Sequence, residues 1–280
     1  MPSSEILAFN QDARTRKAVL SSAYDPAAMR QALLGGDGAG DAPRIERRGN
    51  PDAERLVVAI AGGGFFLPPG DPHRAILDRL CERLGAQAAI LHHRLSPEHP
   101  FPAAYDDVVS GLASAFAFEG VRRVDLLADS SGAALALSAL LTRRDLGLPQ
   151  PASCVLISAL TDLAMTGLSH VANSEADPMF GPGAIIHKAW HYLQGANPTD
   201  PRASPYWGEL KALPPMLMFA GSTEVMLDDT LRFARKLEAA GCLARVAVYE
   251  QAPHDFPLIP HLPEAQAAFA EMVQFLGGSD

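Results

Sequence analysis

At 280 residues, with 48% hydrophobic and 20% charged residues, the chain has the length of one large domain or two small ones and enough apolar mass for a sizeable core. A formal charge of −9 and a pI near 5.4 argue against a nucleic-acid binder, which presents a basic face. Cys81, Cys154 and Cys242 are far apart and form no C-x-x-C pair, so neither a disulfide scaffold nor a structural zinc site is expected.

The N-terminal stretch is interrupted by Glu5, Asn10, Asp12, Arg14, Arg16 and Lys17 and lacks the apolar core of a signal peptide. No segment reaches the roughly 20 apolar residues that span a bilayer. The expectation is a soluble, cytoplasmic protein without a membrane partner.

Six apolar runs follow, at 56–61, 88–93, 124–128, 154–159, 216–220 and 244–249, with 45–48 as an additional edge strand. Continuous apolar runs predict parallel strands covered on both faces. Helical spacing separates them: Tyr105, Val108, Val109, Leu112 and Phe116 share one face, as do Leu227, Leu231, Ala234 and Leu237, and later Ala265, Ala268, Phe269, Met272 and Leu276. The alternation predicts an α/β fold with a mostly parallel central sheet flanked by helices, treated as a single domain over 1–280. Residues 162–205 break the pattern with several Gly and Pro and one helical run at 184–192. Together with residues 1–35, set off by the glycine-rich 35–40, this insertion is expected to form a small helical cap.

Ligands of such sheets bind beyond the carboxyl ends of the strands. Three features fall there. Ala128-Asp129-Ser130-Ser131-Gly132 joins a strand to a helix through a serine, a variant of the G-x-S-x-G nucleophile elbow. Read blandly, it is an ordinary helix N-cap. Ala61-Gly62-Gly63-Gly64-Phe65-Phe66 follows another strand and exposes N–H groups suited to an oxyanion. Its spacing fits neither a dinucleotide fingerprint nor a P-loop. His254 follows the last strand and Glu224 the one before it, so Ser130, Glu224 and His254 run in the order of the α/β-hydrolase triad.

With these residues placed, the chain resembles the hormone-sensitive-lipase-like branch of the α/β-hydrolases, bacterial carboxylesterases with an HGGG motif. The likeness runs from the triglycine almost to the C-terminus. His93-Arg94-Leu95-Ser96-Pro97-Glu98-His99-Pro100-Phe101-Pro102-Ala103 is similar to the family's Y-R-L-A-P-E-H-P-F-P-A, and 128–132 to its G-D-S-A-G. Ala61 stands where the family has histidine and Ala128 where it has glycine.

The resulting expectation is a serine esterase acting on small, short-acyl esters. Ser130 is the nucleophile, His254 the base and Glu224 the acid. Gly62, Gly63, Gly64 and Ser131 form the oxyanion hole, and Phe65, Phe66 and Asp129 belong to the substrate pocket, the two phenylalanines being partly pocket wall and partly core. Asp228 is read as a helix N-cap and Asp229 as a first-turn acid. Arg94, Glu98, Asp106 and Asp107 are read as structural charges. No cofactor is expected, and no metal either, because His92 and His93 point to opposite faces of a strand. A small ester is the expected partner, and a homodimer is left open. Two rivals remain: the same triad acting on lactones, amides or acyl transfer, and a non-catalytic binding protein on the same fold.

Overall fold

The computed structural model describes residues 1–22, 30, 43–181 and 183–278. The glycine-rich 35–40 and residues 23–29 and 31–35 of the expected cap lie outside the described residues. Among the described residues seven strands form one sheet: β1 (Arg44–Gly49), β2 (Arg55–Ile60), β3 (Gln87–His92), β4 (Arg123–Asp129), β5 (Cys154–Ile157), β6 (Met216–Gly221) and β7 (Ala244–Tyr249). Their spatial order is β1-β3-β2-β4-β5-β6-β7. All pairings are parallel except β1 with β3.

Strand alternation splits the core in two. Val58, Ile60, Leu126, Ala128, Leu156 and Met218 face one side of the sheet, under α3 (Ala103–Phe116), α4 (Ser130–Asp145) and α7 (Leu227–Ala239). Val57, Ala59, Leu127, Val155, Leu217 and Phe219 face the other, under α2 (Asp71–Leu84) and α8 (Pro263–Gly277). Cover on both faces explains why the central strands read as unbroken apolar runs. β7 does not follow that rule. It lies at the sheet edge, paired only to β6, and Arg245 and Val248 are exposed.

The sequence reading did not single out α2. Its signals are a Pro in the first turn after Gly70 and a stop at Gly85, which takes a left-handed φ of 60°. Between β5 and β6 lie α5 (Ser169–Ala172), α6 (Ala184–Leu193) and a 3₁₀ turn at Pro205–Trp207. Helix α1 (Ser4–Ser22) ties onto this insertion: Lys17 Nζ donates to the carbonyls of Ser174 and Asp177 at 2.7 and 2.6 Å. Arg94 grips Asp107 through two guanidinium nitrogens, and Glu98 pairs with Arg30. Asp106 is exposed on the first turn of α3.

Because β2 and β4 to β7 run parallel, their carboxyl ends share one edge of the sheet. The glycine loop, Ser130, Ser158, Glu224 and His254 all follow those ends.

Candidate active site

Helix α4 begins at the residue after β4 ends, with no loop between them. The reversal is taken by Ser130, whose φ of 49° is left-handed. That conformation costs a non-glycine residue about 1–3 kcal/mol and is held by the packing around it. Gly132 permits the approach: a Cβ there would lie 2.3 Å from the Ile60 carbonyl oxygen. At the position two before the serine, Ala128 is fully buried in the core, so its methyl is accommodated.

His254 Nε2 lies 3.0 Å from Ser130 Oγ, and its Nδ1 lies 2.9 Å from Glu224 Oε2. Glu224 is completely buried. Its other oxygen accepts hydrogen bonds from Ser158 Oγ at 2.9 Å and from the Gly221 N–H. Ser158 Oγ in turn accepts the Asp255 N–H at 3.0 Å, so one hydroxyl holds the acid and the residue after the histidine. Asp255 Oδ2 lies 3.1 Å from His254 Nε2. Burial pushes the imidazole toward neutrality, but the carboxylates of Asp255 and Glu224 outweigh it and raise its pKa well above the ordinary value. Burial also raises the Asp255 carboxyl, to about 6.

Asp228 and Asp229 do not reach His254. Asp228 is not the N-cap of α7, which starts at Leu227. Instead Ser169 Oγ accepts the Asp228 N–H, and the Asp228 carboxylate accepts the Ser169 N–H. Asp229 lies in the first turn of α7, as the sequence suggests. It is buried, accepts the N–H groups of Thr161 and Asp162, and meets His170 at 2.7 Å. Both anchor the insertion to α7.

The glycine loop departs from expectation in three ways. The Gly62 N–H donates to Asp129 Oδ2 at 2.9 Å, so it points beneath the loop and not at an oxyanion. Asp129 is therefore no pocket residue. On β4 it shares the α2 side with Leu127, and there His73 Nε2 approaches the same oxygen at 3.3 Å. His73 Nδ1 accepts the Gly70 N–H, which leaves the ring proton on Nε2, facing Asp129. Ala61 lines the small space shared by His73 and Asp129. Phe65 is not a pocket wall either: it is 1% exposed and its ring stacks on Tyr192 of α6 with centroids 3.9 Å apart. That contact fastens the glycine loop to the insertion.

A cavity of about 200 Å³ opens over Ser130 and His254. Gly63, Gly64, Ser131 and Phe66 line it, and the insertion contributes Met179, Phe180, Ile185 and Lys188. The sequence reading missed His73, Ser158, Asp255 and Lys188. His73 carried a faint signal as a first-turn residue of an unassigned helix. Lys188 carried a better one, as a lysine inside the apolar stripe of 184–192. Ser158 and Asp255 carried none, since each acts through a turn that only the folded chain creates. All three cysteines are buried and reduced, and burial raises the Cys154 thiol far out of the reactive range.

A serine at a strained strand–helix turn, hydrogen-bonded to a histidine that is hydrogen-bonded to a buried carboxylate, defines a serine-hydrolase-type site. Residues 57–258 match the family described as alpha/beta hydrolase fold. An acetyl-hydrolase of Streptomyces hygroscopicus is 38% identical over 229 residues, covering 79% of this chain and 75% of the relative. An esterase of Acinetobacter venetianus is 33% identical over 239 residues, covering 84% and 78%. Among solved structures, an esterase from the bacterial hormone-sensitive lipase family superposes with a TM-score of 0.83 at 31% identity, over 99% of this chain and 98% of the other. An esterase/lipase from an uncultured bacterium superposes with a TM-score of 0.85 at 30% identity, over 99% of both chains. The chain belongs to the α/β-hydrolase fold family, on its hormone-sensitive-lipase-like carboxylesterase branch. Among the described residues no helix is long and apolar enough to cross a membrane.

Proposed function

We propose that the protein is a serine carboxylesterase acting on small, short-acyl esters. The observation that carries this reading is the unbroken contact from Ser130 Oγ through both nitrogens of His254 to Glu224, at the floor of the cavity. Neutral His254 accepts the Ser130 proton at Nε2 as Oγ attacks the ester carbonyl carbon. Glu224 holds Nδ1–H and stabilises the imidazolium that forms. The tetrahedral oxyanion is received by the N–H groups of Gly63, Gly64 and Ser131. His254 then protonates the departing alkoxide. A water molecule, deprotonated by the same nitrogen, releases the carboxylic acid from the acyl-enzyme.

Asp129 and His73 hold the glycine loop in place of the histidine that the family carries at position 61. Helix α1 and residues 162–205 act as the cap. The cavity supports the size preference: about 150 Å³ accommodates benzene, so about 200 Å³ suits a short acyl chain and not a long one.

A p-nitrophenyl ester series from acetate to laurate, together with a serine-directed phosphonate, tests the reading. Turnover should peak between acetyl and hexanoyl, and one phosphonate should add per chain, on Ser130. Labelling on Ser131 would refute the nucleophile. No hydrolysis of any ester, lactone or amide would leave a binding protein.

A further inference from the structure

Ester hydrolysis at Ser130 makes no use of one cavity residue, Lys188. On α6 the residues Ala184, Ile185, Ala189 and Tyr192 form the buried stripe, and Lys188 falls within it, one turn from Ile185. A lysine thus stands where the pattern asks for an apolar side chain. Its stem runs over the glycine loop, where a Cβ on Gly64 would come within 2.8 Å of Lys188 Cδ. Its ammonium lies 5.1 Å from the centre of the Phe180 ring, and that ring packs edge-on against His254 with centroids 4.9 Å apart. One aromatic ring therefore separates the Lys188 cation from the catalytic imidazole, and both line the cavity that holds Ser130.

The ammonium is poorly provided for. Among the described residues, Nζ donates to one carbonyl of its own helix, Ala184, at 3.3 Å, and no carboxylate pairs with it. Lys17, by contrast, reaches the carbonyls of Ser174 and Asp177, and Lys236 those of Tyr206 and Gly208. An ammonium carries three donors, and an apolar cavity offers them nothing. Burial lowers the Lys188 pKa to about 8, which still leaves it mostly cationic near neutral pH. The other charged groups lining the cavity, His254 and Asp255, lie 3.1 Å from each other, so that carboxylate faces the imidazole.

We infer that Lys188 recognises a carboxylate carried by the ester, and that the preferred substrates are half-esters of dicarboxylic acids or esters whose alcohol portion bears a carboxylate. A neutral ester leaves the ammonium with the Ala184 carbonyl alone among the described residues. A carboxylate at that point forms a charge-assisted hydrogen bond with a half-buried ammonium in a mostly apolar cavity. This deepens the esterase reading and rests on it.

Two matched pairs test the inference on the full chain at neutral pH: mono-p-nitrophenyl glutarate against p-nitrophenyl valerate, and para-acetoxybenzoate against its methyl ester. The first pair places the carboxylate on the acyl side, the second on the alcohol side. Wild type should favour the charged member of at least one pair in kcat/KM by about tenfold or more. Lys188→Met should reduce that ratio by about the same factor, and Lys188→Arg should keep most of it. Because each ratio is taken within one preparation, loss of folded protein cancels. A wild-type ratio at or below one in both pairs, or one unchanged by Lys188→Met, overturns the inference. If neutral esters turn over without such a preference, the esterase reading stands and the inference falls. If no ester of either kind is cleaved, both fall.

Discussion

The floor and the wall of the cavity are built in different ways. The floor consists of strand ends. Ser130 and Ser158 follow a parallel strand directly and Glu224 and His254 follow one after a short turn, and hydrogen bonds of 2.9–3.0 Å join them. The wall comes from a helical insertion that presents Met179, Phe180, Ile185 and Lys188 as separate side chains. Register across the sheet fixes the floor, so a change there disturbs several groups at once. The wall is set by volume and charge, one side chain at a time. In the proposed reading, chemistry therefore resides in the backbone-determined half and selectivity in the other.

The strongest test of that division is the acid on the floor. Glu224→Gln should lower kcat by about 10³- to 10⁴-fold with little change in KM, because a neutral amide does not stabilise the imidazolium. Asp228→Asn should stay within about threefold of wild type, since the amide oxygen still accepts the Ser169 N–H. Steady-state kinetics on a short-chain ester decide it, and the reverse ranking would transfer the acid role to Asp228.

A smaller loss is expected one step behind the floor. Asp129→Ala strands the buried Gly62 N–H, an unsatisfied group that costs about 1–3 kcal/mol. Relaxation of the glycine loop should then reduce kcat by about tenfold to a hundredfold while KM changes little. Asp129→Asn keeps an acceptor for Gly62 and should retain most of the activity. Equal losses in both variants would mean that the carboxylate's charge matters and not its hydrogen bond.

Asp255 permits a pH test. Its anion raises the His254 pKa, and in the proposed mechanism the active form requires neutral imidazole. Removing the charge lowers that pKa. Asp255→Asn should therefore move the acid limb of kcat/KM to lower pH, extending activity downward. A limb that stays put or moves up would show that Asp255 does not act on the imidazole.

The mildest change belongs to the wall. Met179→Ala should lengthen the preferred acyl chain by about one or two carbons, with rates on acetyl esters within a few-fold of wild type. A large loss on acetyl esters would instead tie the insertion to the chemistry of the floor.

The amino-acid sequence by itself determined the sheet and the chain order of the proposed triad. Cover on both faces makes β2, β4, β5 and β6 continuous apolar runs, and the turn residues that follow each run mark the edge where ligands bind. Ser130, Glu224 and His254 were legible for that reason, each lying just past a strand. The unassigned α2 shows where this reading stops, because its polar first turn hides the periodicity that Ile76, Leu77 and Leu80 set up. The path of the Gly62 N–H was not legible. Three glycines look alike in sequence, and which of them faces the cavity depends on Asp129 coming through β4 onto the α2 side, beside His73. Phe65 looked like pocket wall until Tyr192, more than a hundred residues away, closed over its ring. Ser158 follows the same logic, since its partners Glu224 and Asp255 are distant in the chain. A local pattern specifies which face a residue takes within its own element, but only the packing of one element on another decides what that face meets.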